Sequence, residues 1–273
     1  MMKKYNDKYY ARYGDPRTAN WLLMDNQMYP FLIAALYLVT TKLIVPMVMR
    51  KRNPIELRWL SVAYNIGMCL VNAWVLYELG NLTVLNPKFD WFCQPIDWSN
   101  SPEAMRVAEV GWIFLLTTIL ECITTILIIL RKKESYSSAV HTFVRTQALI
   151  VAWYGLKFAP GGYNSLYCLL NVLIYAVLHF HHAAVISMPF FKHWHWETVT
   201  LALIYVLQFS IYLVYYSQLY FFPPRNCKPS FFVLRLNMGI SLLFFVFGKD
   251  FFVSVFNFIS GKKKSTEKQK KKY

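Results

Sequence analysis

Apolar residues along the chain come in long uninterrupted blocks, separated by short polar or basic stretches, and do not alternate with polar residues as on a soluble domain. A hydrocarbon core about 30 Å thick needs roughly 20 residues of helix to cross it. Seven blocks approach this length: residues 29–49, 57–79, 110–130, 139–155, 166–188, 199–221 and 231–259. The pattern therefore predicts an all-α, polytopic membrane protein with seven transmembrane helices.

The seven blocks divide the chain into an N-terminal segment (1–28), a membrane domain (29–259) and a basic tail (260–273). The first segment is polar and aromatic, and it lacks the charged and then apolar order of a cleavable signal peptide. We therefore expect the first span to direct insertion. The composition agrees with a membrane protein, since 56% of the residues are hydrophobic and only 16% are charged.

The formal charge of +15 raises the possibility of a nucleic-acid partner. The basic residues, however, form short clusters at the ends of the apolar blocks, which is typical of membrane orientation. Clusters at 50–52, at 131–133 and in the tail at 262–272 fall on one side of a seven-span chain, whereas the basic residues of the N-terminal segment are an exception. We expect no nucleic acid, a cytosolic C-terminus and an N-terminus in the lumen.

In this orientation a possible glycosylation site and two loop cysteines lie on the lumenal side. Asn81-Leu82-Thr83 is an acceptor sequence for N-glycosylation, although it lies close to the second span. Cys93 and Cys227 both lie in loops, and an oxidising lumen would favour a disulfide between them, the alternative being two unpaired thiols. At the opposite end, Lys270 and Lys271 resemble a dilysine signal for retrieval to the endoplasmic reticulum, unless the tail only attracts anionic lipid.

Ionisable side chains inside the spans are the candidates for chemistry, because each costs several kcal/mol at bilayer depth. On a helix, residues three or four apart share a face. That spacing joins His141 with Arg145, and it also joins four residues of the fifth span: Asn171, Tyr175, His179 and His182. Together with Glu121 on the third span, these groups must face inward, so spans three to six are predicted to enclose a polar chamber near the basic side.

Two simpler readings of this cluster stay open. Glu121 could serve only to neutralise Arg145 within the bundle. Alternatively, Glu121, His141, His179 and His182 could hold iron or zinc, which accept imidazole and carboxylate ligands. No tight ligand motif supports such a site, so we expect no metal.

Several segments together resemble one known family. They are Gly14-Asp15-Pro16-Arg17-Thr18-Ala19-Asn20-Trp21, Leu130-Arg131-Lys132-Lys133, Lys157-Phe158-Ala159-Pro160-Gly161-Gly162, Leu169-Leu170-Asn171 and the dilysine tail. The chain resembles the ELO family of very-long-chain fatty acid elongases along nearly its whole length. The resemblance implies seven spans around a polar chamber and an acyl tunnel, in the membrane of the endoplasmic reticulum. It also implies condensation of a long-chain acyl-CoA with malonyl-CoA, giving 3-oxoacyl-CoA, CO₂ and CoA.

The family motifs are altered in this chain. Lys-x-x-Glu-x-x-Asp-Thr is represented by Thr118, Glu121, Thr124 and Thr125, and His-x-x-His-His by His141, Val144 and Arg145. His-x-x-Met-Tyr-x-Tyr-Tyr is represented by Tyr175, Leu178, His179, His181 and His182, and of a glutamine pair on the sixth span only Gln208 remains, beside Tyr205. Acyl transfer needs a nucleophile or base, and a protonated arginine can only donate hydrogen bonds to an anion.

The resemblance leads to two hypotheses. In the first, the chain is an active condensing enzyme without a cofactor. Its catalytic residues are His141, His179, His182 and Glu121, and its substrate-binding residues are Arg145, Asn171, Tyr175, Gln208 and Thr125. In the second, it is a silent relative that binds acyl-CoA or membrane lipid, or that partners with other fatty acid elongation enzymes. A transporter is a third option, which the absence of an inverted repeat disfavours.

Overall fold

The computed structural model describes residues 13–132, 139–188, 197–225 and 227–248, and these are helical without any strand. Besides two short 3₁₀ helices there are seven long helical segments: α1 (Tyr29–Met49), α2 (Arg58–Leu82), α3 (Pro102–Leu130), α4 (Ala139–Phe158), α5 (Ser165–Ser187), α6 (Glu197–Phe221) and α7 (Phe231–Phe247). Within α1, residues Thr40–Ile44 form a π-helical turn. The all-helical prediction is confirmed.

Four helical stretches are long and apolar enough to cross a bilayer by length and composition. They are Tyr29–Met49, Arg58–Leu82, Pro102–Leu130 and Gly162–Ser187. Many of the large side chains that remain exposed on α1 and α2, such as Leu36, Met47 and Leu70, are apolar, as expected of surfaces that face lipid. The structure is thus that of a membrane protein, and the crossing of all seven helices stays a prediction.

The start of α3 differs from the sequence prediction. A polar loop was expected to continue to about residue 109, but the helix begins at Pro102. Ser101 caps it, since the Ser101 hydroxyl accepts a hydrogen bond from the Ala104 N–H at 3.2 Å. Proline in the first turn and Glu103 beside the positive helix end also favour this start. The predicted continuation of the last span to 259 and the basic tail lie outside the described residues.

The two ends of the bundle carry different groups. At one end, called the basic end, Arg50, Lys51 and Arg52 lie near Arg131, because the Ile55 N–H donates to the carbonyl that ends α3. At the other, called the disulfide end, Cys93 and Cys227 form a disulfide with their Cα atoms 6.0 Å apart. The cross-link joins the loop between α2 and α3 to the segment between α6 and α7.

The N-terminal segment packs across the disulfide end. The Asp15 N–H donates to the carbonyl of Lys157 at 2.8 Å, and the buried Asp15 carboxylate pairs with Arg17 at 2.9 Å. Two indole N–H groups hold a later part of the same segment. Trp112 donates to the carbonyl of residue 22 at 3.1 Å, and Trp153 donates to that of residue 23 at 2.7 Å. The segment therefore holds the ends of α3 and α4 together.

Four asparagines inside the helices share one arrangement. Each amide donates to the carbonyl four residues earlier on its own helix, at 2.7 to 2.9 Å: Asn65 to Ser61, Asn72 to Met68, Asn171 to Tyr167 and Asn237 to Val233. All four side chains are buried. Such local bonds give each amide group one partner for its N–H donors within its own helix.

Candidate functional site

A buried carboxylate lies at the centre of the site. Glu121 of α3 is 1% exposed, and its two oxygens contact different helices. One oxygen forms an ion pair with Arg145 Nη1 of α4, and the other lies 2.6 Å from His179 Nε2 of α5. Three ionisable residues predicted to converge therefore meet, in the half of the bundle nearer the basic end.

The His179 ring is held on both sides. Its Nδ1 lies 2.8 Å from Asn65 Oδ1 on α2. The Asn65 NH₂ group already donates to the Ser61 carbonyl, so the amide oxygen is the atom that faces the ring. Both ring nitrogens thus face oxygen atoms at hydrogen-bond distance. Such a ring can orient Glu121, and neither of its nitrogens is left uncommitted to act as the predicted base.

Two further histidines lie close to this centre. The His182 ring is 6.5 Å from the His179 ring between centroids. His141, in the first turn of α4, is close enough to Arg145 and His182 to interact with both electrostatically. Both side chains are half-buried, whereas His179 is 1% exposed. His141 and His182 are therefore more accessible than His179 to a ligand that enters the site.

Arg145 also contacts Tyr175, whose ring centroid lies 4.6 Å from the guanidinium carbon. A cation over an aromatic face is stabilised by the ring quadrupole. Five polar atoms in this interior are buried and lack a hydrogen-bond partner among the described residues: Arg145 Nε, Asn171 Oδ1, Tyr175 OH, Tyr205 OH and Gln208 Oε1. Buried polar groups are normally paired, so this set marks a place where a polar ligand group fits.

A second network contains two of the predicted substrate-binding residues. Asn171 and Gln208 each donate to the Tyr212 hydroxyl at 2.8 Å, and that hydroxyl donates to the Tyr167 carbonyl at 3.0 Å. The Tyr167 hydroxyl in turn donates to Gln147 at 3.1 Å. Asn171 and Gln208 thus meet through a tyrosine that sequence reasoning did not single out.

Thr125 is placed differently from the other predicted residues. Its hydroxyl shares a hydrogen bond with the Tyr37 hydroxyl of α1 at 2.9 Å. This contact ties α1 to α3. The side-chain hydrogen bond of Thr125 is thus made to α1, so its predicted substrate role gains no support from the geometry.

A mainly apolar cavity lies between α3, α4 and α5 in the half nearer the disulfide end. Its wall includes Phe114, Leu156, Ser165, Tyr167 and Cys168. Tyr167 belongs both to this wall and to the hydrogen-bonded network of Gln147 and Tyr212. The cavity and the polar interior therefore meet at one tyrosine.

Asn65 is the functional candidate that sequence reasoning missed. Its helix is largely apolar, and no Asp, Glu, His, Lys or Arg lies within four residues of it. The sequence therefore did not show which face of the helix Asn65 occupies. The signal that could have found it is an amide at bilayer depth, which needs an inward partner. Among the described ranges, no group of three His, Cys, Asp or Glu residues is arranged to hold a metal ion.

Comparison with known proteins identifies the family. A family model described as ELO, the GNS1/SUR4 family, matches residues 22–268. The chain belongs to the ELO family. Among its relatives, a very long chain fatty acid elongase of Aedes aegypti is 29% identical over 94% of this chain and 72% of its own length. Very long chain fatty acid elongase 1 of Mus musculus is 29% identical over 88% and 85%, and elongase 7 of Rattus norvegicus is 30% identical over 85% and 83%.

Family membership gives meaning to the altered motifs. Arg145 stands where the ELO pattern has a histidine, and His179 stands where it has a tyrosine. Both substituted side chains contact Glu121, which is the glutamate that the pattern retains. In this ELO protein the two changes therefore act on one carboxylate.

Proposed function

We propose that this protein is a fatty acid elongase of the condensing type, which joins malonyl-CoA to a long-chain acyl-CoA and releases CO₂ and CoA. Family membership and the names of the relatives support elongation in general. The observation that carries the proposal is the set of buried, unpaired polar atoms around Arg145, close to an apolar cavity. Such a site offers hydrogen bonds to a polar head beside a mainly apolar wall.

The residues receive the following roles. Loss of CO₂ from malonyl-CoA leaves an enolate, whose carbon attacks the acyl thioester carbonyl, and the CoA thiolate departs and takes up a proton. Unpaired donors such as Arg145 Nε and the Tyr175 hydroxyl would stabilise the developing negative charge. His141 or His182 would move the proton, and Glu121 would fix Arg145 and His179 in place. Asn171 and Gln208 would orient the substrate through Tyr212.

The topology belongs to the same proposal. Seven spans in the membrane of the endoplasmic reticulum would place the N-terminus and the Cys93–Cys227 disulfide in the lumen and the basic end in the cytosol. The positive-inside rule supports this orientation, because the basic residues at 50–52 and at 131–132 lie at one end. Soluble CoA esters would then reach the Glu121 cluster from the cytosolic side. Other enzymes of fatty acid elongation are the expected partners.

A second candidate function follows from His179. Since both of its ring nitrogens are engaged and Val144 stands in the histidine box, the site has fewer free bases than the ELO motif provides. A silent relative that binds acyl-CoA without turnover fits this arrangement.

One assay separates the two candidates. Microsomes that contain the full chain are given radiolabelled malonyl-CoA and a panel of acyl-CoAs, and two-carbon extension is measured. The condensing enzyme predicts extension that falls at least tenfold in His141→Gln or His182→Gln and persists in His181→Gln, the adjacent histidine with no assigned role. Binding of acyl-CoA without extension across the panel would establish the silent relative and refute the enzyme.

A further inference from the structure

The charges at the centre of the site do not balance. Glu121 supplies one negative charge, and Arg145 supplies one positive charge. The His179 Nδ1 needs one hydrogen to bond Asn65 Oδ1, and a further hydrogen must lie between Nε2 and Glu121 Oε1. Whichever of the two groups carries that further hydrogen, the three side chains together hold one positive charge. These three side chains are only 1 to 2% exposed. A buried excess of positive charge is costly unless an anion joins it.

Unpaired donors lie on one side of this centre. Arg145 Nε and the hydroxyls of Tyr175 and Tyr205 are buried and have no hydrogen-bond partner among the described residues. Tyr175 stacks on the guanidinium, and Tyr205 is close enough to it for electrostatic interaction. A buried donor without an acceptor destabilises the folded protein. Positive charge and unpaired donors at one place both point to an anionic ligand.

We propose that this centre binds the carboxylate of a free long-chain fatty acid, which would occupy the site in competition with acyl-CoA. A planar carboxylate matches the geometry of a guanidinium, and an anion that reaches the site from the surrounding lipid must be carried by a molecule that is otherwise apolar. Tyr167, in the wall of the apolar cavity, lies eight residues before Tyr175 on α5, or about 12 Å along the helix axis. The tail would extend along α5 toward that cavity.

This inference rests on the proposed function, since it names a regulatory ligand of the same site. Its chemistry nevertheless differs from that of the substrate. An acyl-CoA presents an uncharged thioester at the head of its chain, whereas a fatty acid presents the negative charge that the centre lacks. A fatty alcohol of equal length has the same tail and no charge, so it isolates the contribution of the carboxylate.

The test uses the purified full-length protein in detergent micelles. Binding of radiolabelled hexadecanoic acid is measured, with unlabelled hexadecanoic acid, hexadecanol and hexadecanoyl-CoA as competitors. We expect the acid to compete at least tenfold better than the alcohol. Tyr205→Phe removes one donor and keeps the ring, and we expect it to weaken acid binding at least threefold while alcohol binding stays unchanged. Tyr77→Phe, at an exposed tyrosine of α2, is the matched control and should bind like wild type.

Equal competition by acid and alcohol, or an unchanged affinity for the acid in both Tyr205→Phe and Tyr175→Phe, would overturn the inference. Size-exclusion profiles of the variants confirm that each is folded before binding is compared. Elongation is assayed on the same preparations, so that the two proposals fail separately. Extension of acyl-CoA without acid-selective binding refutes only the fatty acid site, and acid-selective binding without extension refutes only the enzyme.

Discussion

Replacement of Glu121 by glutamine is the sharpest test of the buried charge cluster. The substitution keeps the size and shape of the side chain but removes the charge that pairs with Arg145 and His179. Both partners would remain buried and cationic, with an amide that offers one acceptor oxygen in place of two. Removing one partner of a buried ion pair costs about 3–5 kcal/mol, mostly because the other charge is left unpaired.

The expected loss in the free energy of unfolding corresponds to a drop in melting temperature. For a chain of 150–250 residues, each kcal/mol lowers the melting temperature by about 2–4 °C, so Glu121→Gln should lower it by roughly 6 to 20 °C. The measurement is thermal unfolding of the detergent-solubilised protein, followed by intrinsic tryptophan fluorescence. Protein concentration and detergent are held constant between the variants.

Glu78→Gln provides a matched control. Glu78 pairs with Arg106 at 2.7 Å, but their side chains are 25% and 41% exposed. Exposed pairs contribute at most about 1 kcal/mol, so this variant should lose no more than about 4 °C. Equal shifts for the two variants would show that Glu121 does not balance a buried charge. The net positive centre inferred above would then be wrong.

Three further predictions concern other parts of the fold. Replacing both Cys93 and Cys227 with serine should cost about 2–5 kcal/mol, measured as a lower melting temperature under non-reducing conditions, and the difference should vanish in reductant. Gly155→Ala should destabilise the protein, because the added Cβ would lie 2.6 Å from a neighbouring side-chain amide. Gly67 has open space around it, so Gly67→Ala should be neutral or stabilising by up to about 1 kcal/mol in the same assay. Asn65→Leu removes the acceptor of a charged imidazole and should cost about 1.5–3 kcal/mol, and a neutral result would show that the ring does not need that bond.

Much of the fold could be predicted from apolar length and basic flanks. The second, third, fifth and sixth helices end within three residues of the predicted positions, because polar or turn-forming residues follow them. The start of α3 could not be placed by apolar length, since Pro102–Glu109 is polar. There the local capping by Ser101 determines the boundary.

The candidate site could also be predicted only in part from the sequence. The inward convergence of Glu121, Arg145 and His179 could be predicted, because ionisable groups at bilayer depth must find one another. Which atom each group would contact could not, since that depends on how far the helices are rotated and shifted relative to each other. Asn65 was missed for this reason. Its partner His179 lies 114 residues later in the chain, and no local pattern joins them.

The asparagines that donate to their own helices have a consequence for biogenesis. Helices leave the translocon one after another, so α2 enters lipid well before α5, its later partner, has been synthesised. During that interval Asn65 and Asn72 can already place their NH₂ groups on carbonyls one turn back. One N–H and the carbonyl oxygen of each amide then await partners, so the penalty for membrane insertion of an early helix that carries polar side chains is lower than without the local bond. When α5 arrives, the oxygen of Asn65 is free to capture His179.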